Sequence, residues 1–495
     1  MRYILTAGCI GMMLAMAGCG ASVPDKYDNA PDSVRITPDY TGLTVPANIA
    51  PLNFEITSPG DEFVTRIRGN RGGEIVVGGR EVRMPVDRWH SLLADADSVL
   101  VDVFVRRGDN WAKHPTIANA VADSIDPYIS YRLIEPSYIT FEDIVICQRN
   151  LENFDERELY NSQMLSDSEH GQCINCHSFQ NYNRDGNMQM HVRVTKPGTV
   201  IVRDGKAVKV NLKTDSTLSA GVYPSWHPQL PLIAYSVNTT TQIFHSRDRN
   251  KVEVQDEASD LILYDTEANT VSVISDEPDC LETFPYWSPD GRTLWYVSAR
   301  IPVMDADALK EFKSFNYEDF KYDILKRDFD PATRRFGPAD TVLSASALGK
   351  SATLPRPSPD GRYMMFTMGR YGTFHIWHRD ADLYMIDLAN DSIRPLTEVN
   401  SDNVESYHSW SSNSRWIIFS TRRDDGSYTR LYLSHIGPDG RFSKPFILPQ
   451  ESPAHNVERF KSYNIPEFMV RPVTVTPGQL RDAVDRETVK AVYKQ

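Results

Sequence analysis

Phe284-Pro285-Tyr286-Trp287-Ser288-Pro289-Asp290-Gly291 leads straight into the apolar strand Thr293-Leu294-Trp295-Tyr296-Val297, and the second half of the chain repeats this unit. Tyr223-Pro224-Ser225-Trp226-His227-Pro228 precedes Leu232-Ile233-Ala234-Tyr235-Ser236. Leu354-Pro355-Arg356-Pro357-Ser358-Pro359-Asp360-Gly361 precedes Tyr363-Met364-Met365-Phe366-Thr367, and Tyr407-His408-Ser409-Trp410-Ser411 precedes Trp416-Ile417-Ile418-Phe419-Ser420. In Pro-Asp-Gly, Pro fixes φ, Asp bonds the local backbone and Gly accepts positive φ, so the turn joins two strands. A later strand recurs too, at Leu261-Ile262-Leu263-Tyr264-Asp265, Leu383-Tyr384-Met385-Ile386-Asp387 and Leu431-Tyr432-Leu433-Ser434. Such units cannot bury both faces alone, and radial stacking into a β-propeller satisfies them.

These repeats resemble the TolB-type propeller family, whose members carry Trp-Ser-Pro-Asp-Gly before a hydrophobic strand. The copy at Trp287–Gly291 matches fully; the one at Trp226 has His227 for Ser, and the one at Pro357 lacks the Trp. The resemblance covers roughly residues 190–450. With Thr199-Val200-Ile201-Val202 and Ala207-Val208-Lys209-Val210 as a partial blade, it implies five or six blades, six being the family's number. The expected propeller spans residues 193–465, with a C-terminal tail at 466–495 whose stretch from Phe468 to Val475 has the alternation of a strand.

The first half reads as mainly β as well. Short alternating runs between Pro51 and Arg107, punctuated by Gly69, Gly72, Gly73, Gly78 and Gly79, suit a β-sandwich-like domain over residues 48–125. His114 to Asp126 could hold a short helix. Tyr128 to Ile134 and Ile139 to Cys147 read as strands within a connecting segment, 126–192. Residues 19–47, rich in Pro, Asp, Asn and Thr without apolar periodicity, read as a flexible tether.

Inside the connecting segment lies Cys173-Ile174-Asn175-Cys176-His177, a CxxCH. Two thiols at this spacing can each add across one vinyl group of a porphyrin, and the adjacent His then serves as the fifth ligand to iron. A zinc site would want a second Cys or His pair, and Cys147 and Cys280 are single and far apart. A thioredoxin-like dithiol should close a strand and open a helix, whereas the flanks Glu169-His170-Gly171-Gln172 and Ser178-Phe179-Gln180-Asn181-Tyr182 read as loop. One haem c on Cys173, Cys176 and His177 is therefore expected, in a loop segment. Its distal ligand could come from Met188 or His191, with His170 weaker. If Met188-Gln189-Met190-His191-Val192-Arg193-Val194 is a strand, Met188 and His191 lie on opposite faces, and propeller core or plain surface competes with ligation for each.

Haem is attached outside the cytoplasm, and the N-terminus agrees. Met1-Arg2-Tyr3, the apolar run from Ile4 to Ala17 and Met16-Ala17-Gly18-Cys19 resemble a bacterial lipoprotein signal over residues 1–18, with Cys19 acylated. Gly20-Ala21 lacks the Asp of inner-membrane retention, which favours the outer membrane. Of the 6 cysteines, Cys147 and Cys280 then remain, free or joined as a disulfide. Lipoprotein signal, β-rich domain, Cys-x-Asn-Cys-His-Ser-Phe and propeller together resemble a group of TolB-like bacterial lipoproteins with an embedded c-type haem. That resemblance implies roles for Met188 and His191, which match a Met and a His that follow the motif in the group.

A net charge of −13 without a dense Lys/Arg run makes nucleic acid an unlikely partner. No Gly-x-Ser-x-Gly occurs, which disfavours serine hydrolysis, and no phosphate loop or dinucleotide fingerprint is present. Three function classes remain. The first expectation is a membrane-anchored monohaem cytochrome passing electrons to a redox protein docked on the propeller. The second is a TolB-like binding or scaffold lipoprotein with a structural or sensory haem, and the third a peroxidase-like haem enzyme using Arg193 and His191.

Overall fold

The computed structural model describes residues 21–136, 141–166, 171–302, 305, 307, 308, 311 and 316–494. The expected signal and Cys19 lie outside them, as does His170. Six four-stranded antiparallel blades follow one another around an axis, and the inner strand of each touches the inner strand of the next through the full circle. Blades three to six carry the four repeats seen in the sequence, with inner strands Val222–Trp226, Cys280–Trp287, Ser351–Pro357 and Glu405–Trp410.

The other two blades depart from expectation. Blade two consists of Gln172–Phe179, Met188–Val194, Gly198–Arg203 and Lys206–Asn211, so the CxxCH lies on a strand and not in a loop. Blade one takes Tyr128–Ile134, Val145–Asn150 and Glu156–Asn161 from before the motif and Ser462–Met469 from near the C-terminus as its inner strand. The ring thus reaches from 128 to 469, wider than 193–465, and absorbs most of the connecting segment. Past it, the helix Pro477–Asp485, capped by Thr476 and Gln479, turns the chain back, and Val489–Lys490 and Val492–Tyr493 pair with the outer edges of blades two and three.

The blade turns have the chemistry that the sequence suggests. In blade four, Ser288 Oγ donates to Asp290 Oδ1 at 2.6 Å, the Gly291 N–H donates to Ser288 O at 2.9 Å, and Gly291 takes φ 70°. In blade six, Asn413 replaces the Asp and accepts from Ser411 Oγ at 2.6 Å.

Ahead of the ring, a seven-stranded and a three-stranded sheet with the helix Val86–Leu93 form the sandwich-like domain. Two expectations fail here. The segment expected to be a tether contributes the strands Asp28–Asn29, Ile36–Thr37 and Thr44–Pro46 and buries Val34, Tyr40, Leu43 and Val45. The helix expected within 114–126 is the strand Ile117–Ala122, whose Ile117 and Asn119 point inward in strict alternation. The domain shares one apolar core with blades one and six, and Trp416 Nε1 donates to Asp123 O at 2.9 Å across that junction.

Candidate functional site at the propeller axis

Each inner strand carries one residue in the left-handed region: Cys176 at φ 52°, Tyr223 at 48°, Phe284 at 51°, Leu354 at 55°, Tyr407 at 47° and Ile465 at 53°. The strand pairing slips at each of these points. Positive φ is uncommon outside glycine, so its appearance at one place in all six blades is imposed by the ring. The next residue is His177, Pro224, Pro285, Pro355, His408 or Pro466. Cys176-His177-Ser178-Phe179 is therefore a blade repeat as well as part of a CxxCH. The likeness of His177-Ser178-Phe179 to His408-Ser409-Trp410 was the sequence signal for this, hidden by the stronger signal of the cysteines.

The slipped residues line a narrow axial cavity of about 40 Å³ beside Cys176 and His177. His177 is 1% exposed, with the backbone of Ile465 and Ser130 beside its ring, yet neither ring nitrogen closes a hydrogen bond of good geometry. Burial, with Arg132 adding to it, pushes its pKa down to about 3, so the ring is neutral at pH 7. Cys173 and Cys176 are both free and buried. Arg193 Nη2 donates to Cys173 Sγ at 3.3 Å, and burial raises the Cys176 pKa.

These residues suit a c-type haem in kind, as two free thiols and a neutral, unpartnered imidazole on one strand. They do not suit it in room, because a drug-sized ligand already needs about 300 Å³ or more. Of the distal candidates, Met188 packs in the core with Ile174, Phe179 and Met190. His191 lies on the other face of the strand, its Nδ1 3.0 Å from Thr199 Oγ1. Cys147 and Cys280 do not form a disulfide: Cys147 sits mid-sheet in blade one and Cys280 at the start of blade four. Among the described residues no cluster of three or more His, Cys, Asp or Glu could hold a metal ion.

Above the narrow part, where the inner strands end, the axis opens into a cavity of about 240 Å³ to which all six blades contribute. Its polar wall is Arg356, Glu467, Arg184, Ser178, Ser409 and Ser412, and Tyr182 and Tyr286 add aromatic faces. The Arg356 guanidinium lies 4.2 Å over the Tyr286 ring, and the Arg356 carbonyl accepts from Trp410 Nε1 at 3.0 Å. Burial pushes the Glu467 carboxyl up to about 7 against the pull of Arg356.

Tyr182 and Arg184 reach this mouth through an unusual turn. Where the other blades place Ser-Pro-Asp-Gly or its like, blade two has Asn181, Tyr182 and Asn183, all left-handed at φ 44°, 58° and 59°. Gln180 Nε2 holds the turn through His227 O at 2.8 Å and Leu230 O at 2.9 Å, and Tyr182 O accepts from Val470 N at 2.9 Å. Asn enters the left-handed region readily, so the strain of the turn falls mainly on Tyr182. None of Tyr182, Arg184, Arg356 and Glu467 was singled out from the sequence.

No family model matches the chain, and no curated protein matches it. Among solved structures, it is similar to prolyl oligopeptidase B from Galerina marginata at 11% identity, over 81% of this chain and 54% of that one, with a TM-score of 0.36. The chain thus spans about half the length of that enzyme. It is also similar to Kuenenia stuttgartiensis hydrazine synthase, at 11% identity over 61% of this chain and 75% of that one with a TM-score of 0.33. For the Pseudomonas aeruginosa periplasmic gluconolactonase PpgL the figures are 10%, 66%, 97% and 0.32. Likeness at this level carries no functional argument, and the propeller rests on the chain's own strand order.

Proposed function

We propose that this protein is a ligand-binding propeller, exported and lipid-anchored through Cys19, whose axial mouth takes a small hydroxylated carboxylate. The observation that carries the reading is the convergence of all six blades on one cavity of about 240 Å³ with two guanidinium groups, a carboxyl whose pKa burial raises and two tyrosine faces. Arginine reads a carboxylate through paired N–H donors, the serine hydroxyls suit ligand hydroxyls, and aromatic faces suit the C–H side of a ring. Calorimetry with glucuronate, against glucose as the uncharged control, tests it. Glucuronate should bind more tightly than glucose, and Arg356→Ala should remove that preference; equal weak binding of both by the native protein overturns the reading.

A covalent haem on Cys173 and Cys176 with His177 as ligand is a second reading, favoured by the buried, unpartnered imidazole beside two free thiols. Neither Met188 nor His191, the distal candidates of the sequence, lines the axial cavity beside His177. Expression in a host competent for cytochrome maturation decides it: a coloured protein heavier than its peptide mass supports haem, and a colourless one at bare mass rules it out.

A further inference from the structure

A second cavity, of about 440 Å³, lies between blades two and three at the end of the inner strands away from the mouth. Arg193, Lys196, Lys209, His191, Asn211 and Asn238 supply its polar wall, and no Asp or Glu lines it. That is unusual in a chain of net charge −13. Asp485 pairs with Lys196 from outside the wall.

Of the three cations Lys209 is buried, and Arg193 and Lys196 stand at the exposed rim. Lys209 is 5% exposed, and its Nζ donates to Val484 O at 2.6 Å, at the C-terminal end of the helix Pro477–Asp485. This leaves two of its three N–H donors for other partners. Gly198, at φ 154°, lets the Lys209 stem lie against the backbone; a Cβ there would come within 2.8 Å of Lys209 Cγ. The turn that carries Lys196 is strained, with Val194 at φ 72° and Lys196 at 52°, and a β-branched residue in that region is an outlier. His191 is neutral, pushed down to about 3 by burial with Arg193 adding to it. Its Nδ1 lies 3.0 Å from Thr199 Oγ1. Burial lowers the Lys209 pKa and Lys196 adds to it, while Asp485 pulls the other way.

We infer that this cavity is a binding site for a multiply charged oxyanion, the phosphate or carboxylate groups of a small molecule, held by Arg193, Lys196 and Lys209. Phosphate and carboxylate offer the same acceptor chemistry to these donors.

Isothermal titration of the full chain at fixed ionic strength, with pyrophosphate, citrate and inorganic phosphate as separate probes, tests the site. Pyrophosphate or citrate should bind one per chain and more tightly than inorganic phosphate. Lys196→Gln should weaken that binding about tenfold, the loss of one charge-assisted contact, and Arg193→Gln with Lys196→Gln should abolish it. Preference for pyrophosphate marks a phosphorylated ligand, and preference for citrate a polycarboxylate. Arg193 also bonds Cys173 and Lys196 pairs with Asp485, so the melting curve of each variant, and of Lys209→Met as a further one, is measured first and binding is compared only among those that melt as the native chain does. The inference is overturned if no probe binds beyond the effect of matched sodium chloride, or if the double variant binds as the native chain does.

Discussion

His177 and His408 occupy the same place in two blades, each directly after the left-handed residue of its inner strand, but their hydrogen bonding differs. His408 Nε2 lies 3.1 Å from Met365 O on the preceding blade. His177 has the backbone of Ser130, the counterpart of Met365, beside its ring, but neither nitrogen reaches good hydrogen-bond geometry. A buried polar group left unpaired costs stability, whereas a paired one repays its desolvation.

The bare polypeptide should therefore tolerate one substitution and not the other. His408→Leu is expected to cost about 1–2 kcal/mol more than His177→Leu, read from urea unfolding midpoints at pH 7.5. Equal losses would mean that His177 is as well bonded as its counterpart.

Acid should weaken the fold in two stages. Burial holds His177, His191, His375 and His408 down to about 3 and His227 and His455 down to about 4. The unfolded chain takes up these protons near pH 6.5 while the folded chain does not, so stability is whole above 6.5 and drains as pH falls toward 3. Each fully buried ring contributes up to about 1.4 kcal/mol per pH unit to that loss. Glu282 and Glu467, raised to about 7, and Asp260 and Asp382, raised to about 6, run the other way and add stability as they protonate, until about pH 4. Melting temperature should fall gently from pH 6.5 to about 4.5 and steeply below, and a rise across that first window would contradict the assignment.

Glu467 gives the mouth its own pH dependence. As pH drops through about 7 its carboxylate is neutralised, and repulsion of an acidic ligand falls away while Arg356 stays charged. Glucuronate affinity should rise several-fold between pH 8 and 6, and Glu467→Gln should bind at the acid-side affinity throughout. An unchanged pH profile in that variant would remove Glu467 from the site.

The Pro-Asp-Gly turns of blades four and five that precede the second strand differ in what surrounds them. Gly361, at φ 71°, has open space where a Cβ would go, whereas a Cβ on Gly291, at φ 70°, would collide with the His227 ring. Gly361→Ala should cost about 1–2 kcal/mol from left-handed backbone alone. Gly291→Ala should cost clearly more, because the His227 ring that bonds Gly291 O at 3.0 Å has to move. Denaturant midpoints of the pair check this.

Repetition made blades three to six legible, since Pro-Asp-Gly or its variants stand before each second strand. Blade two was hidden for a definite reason. The chemistry of Cys173, Cys176 and His177 masks the strand pattern around them, and the turn that follows uses Asn181-Tyr182-Asn183 in place of Gly. Blade one could not be assembled from local pattern, because Ser130 pairs with Glu467 across the length of the ring. The strand expected around Phe468 to Val475 ends at Met469, so only its first residues were anticipated. The axial mouth was illegible because its residues are near the same repeat positions that make ordinary blade structure elsewhere: Arg356 and Glu467 stand where Ser225 and Ser409 stand in blades three and six.

Blade one draws its outer three strands from residues 128–161 and its inner strand from Ser462–Met469. A chain emerging from its N-terminal side, whether from a ribosome or a translocation pore, holds an unpaired strand edge at Tyr128–Ile134 until residue 469 arrives. Over that interval the nascent polypeptide is a candidate client for holding chaperones. The strand Ser462–Met469 is then the latch that covers that edge and closes the ring.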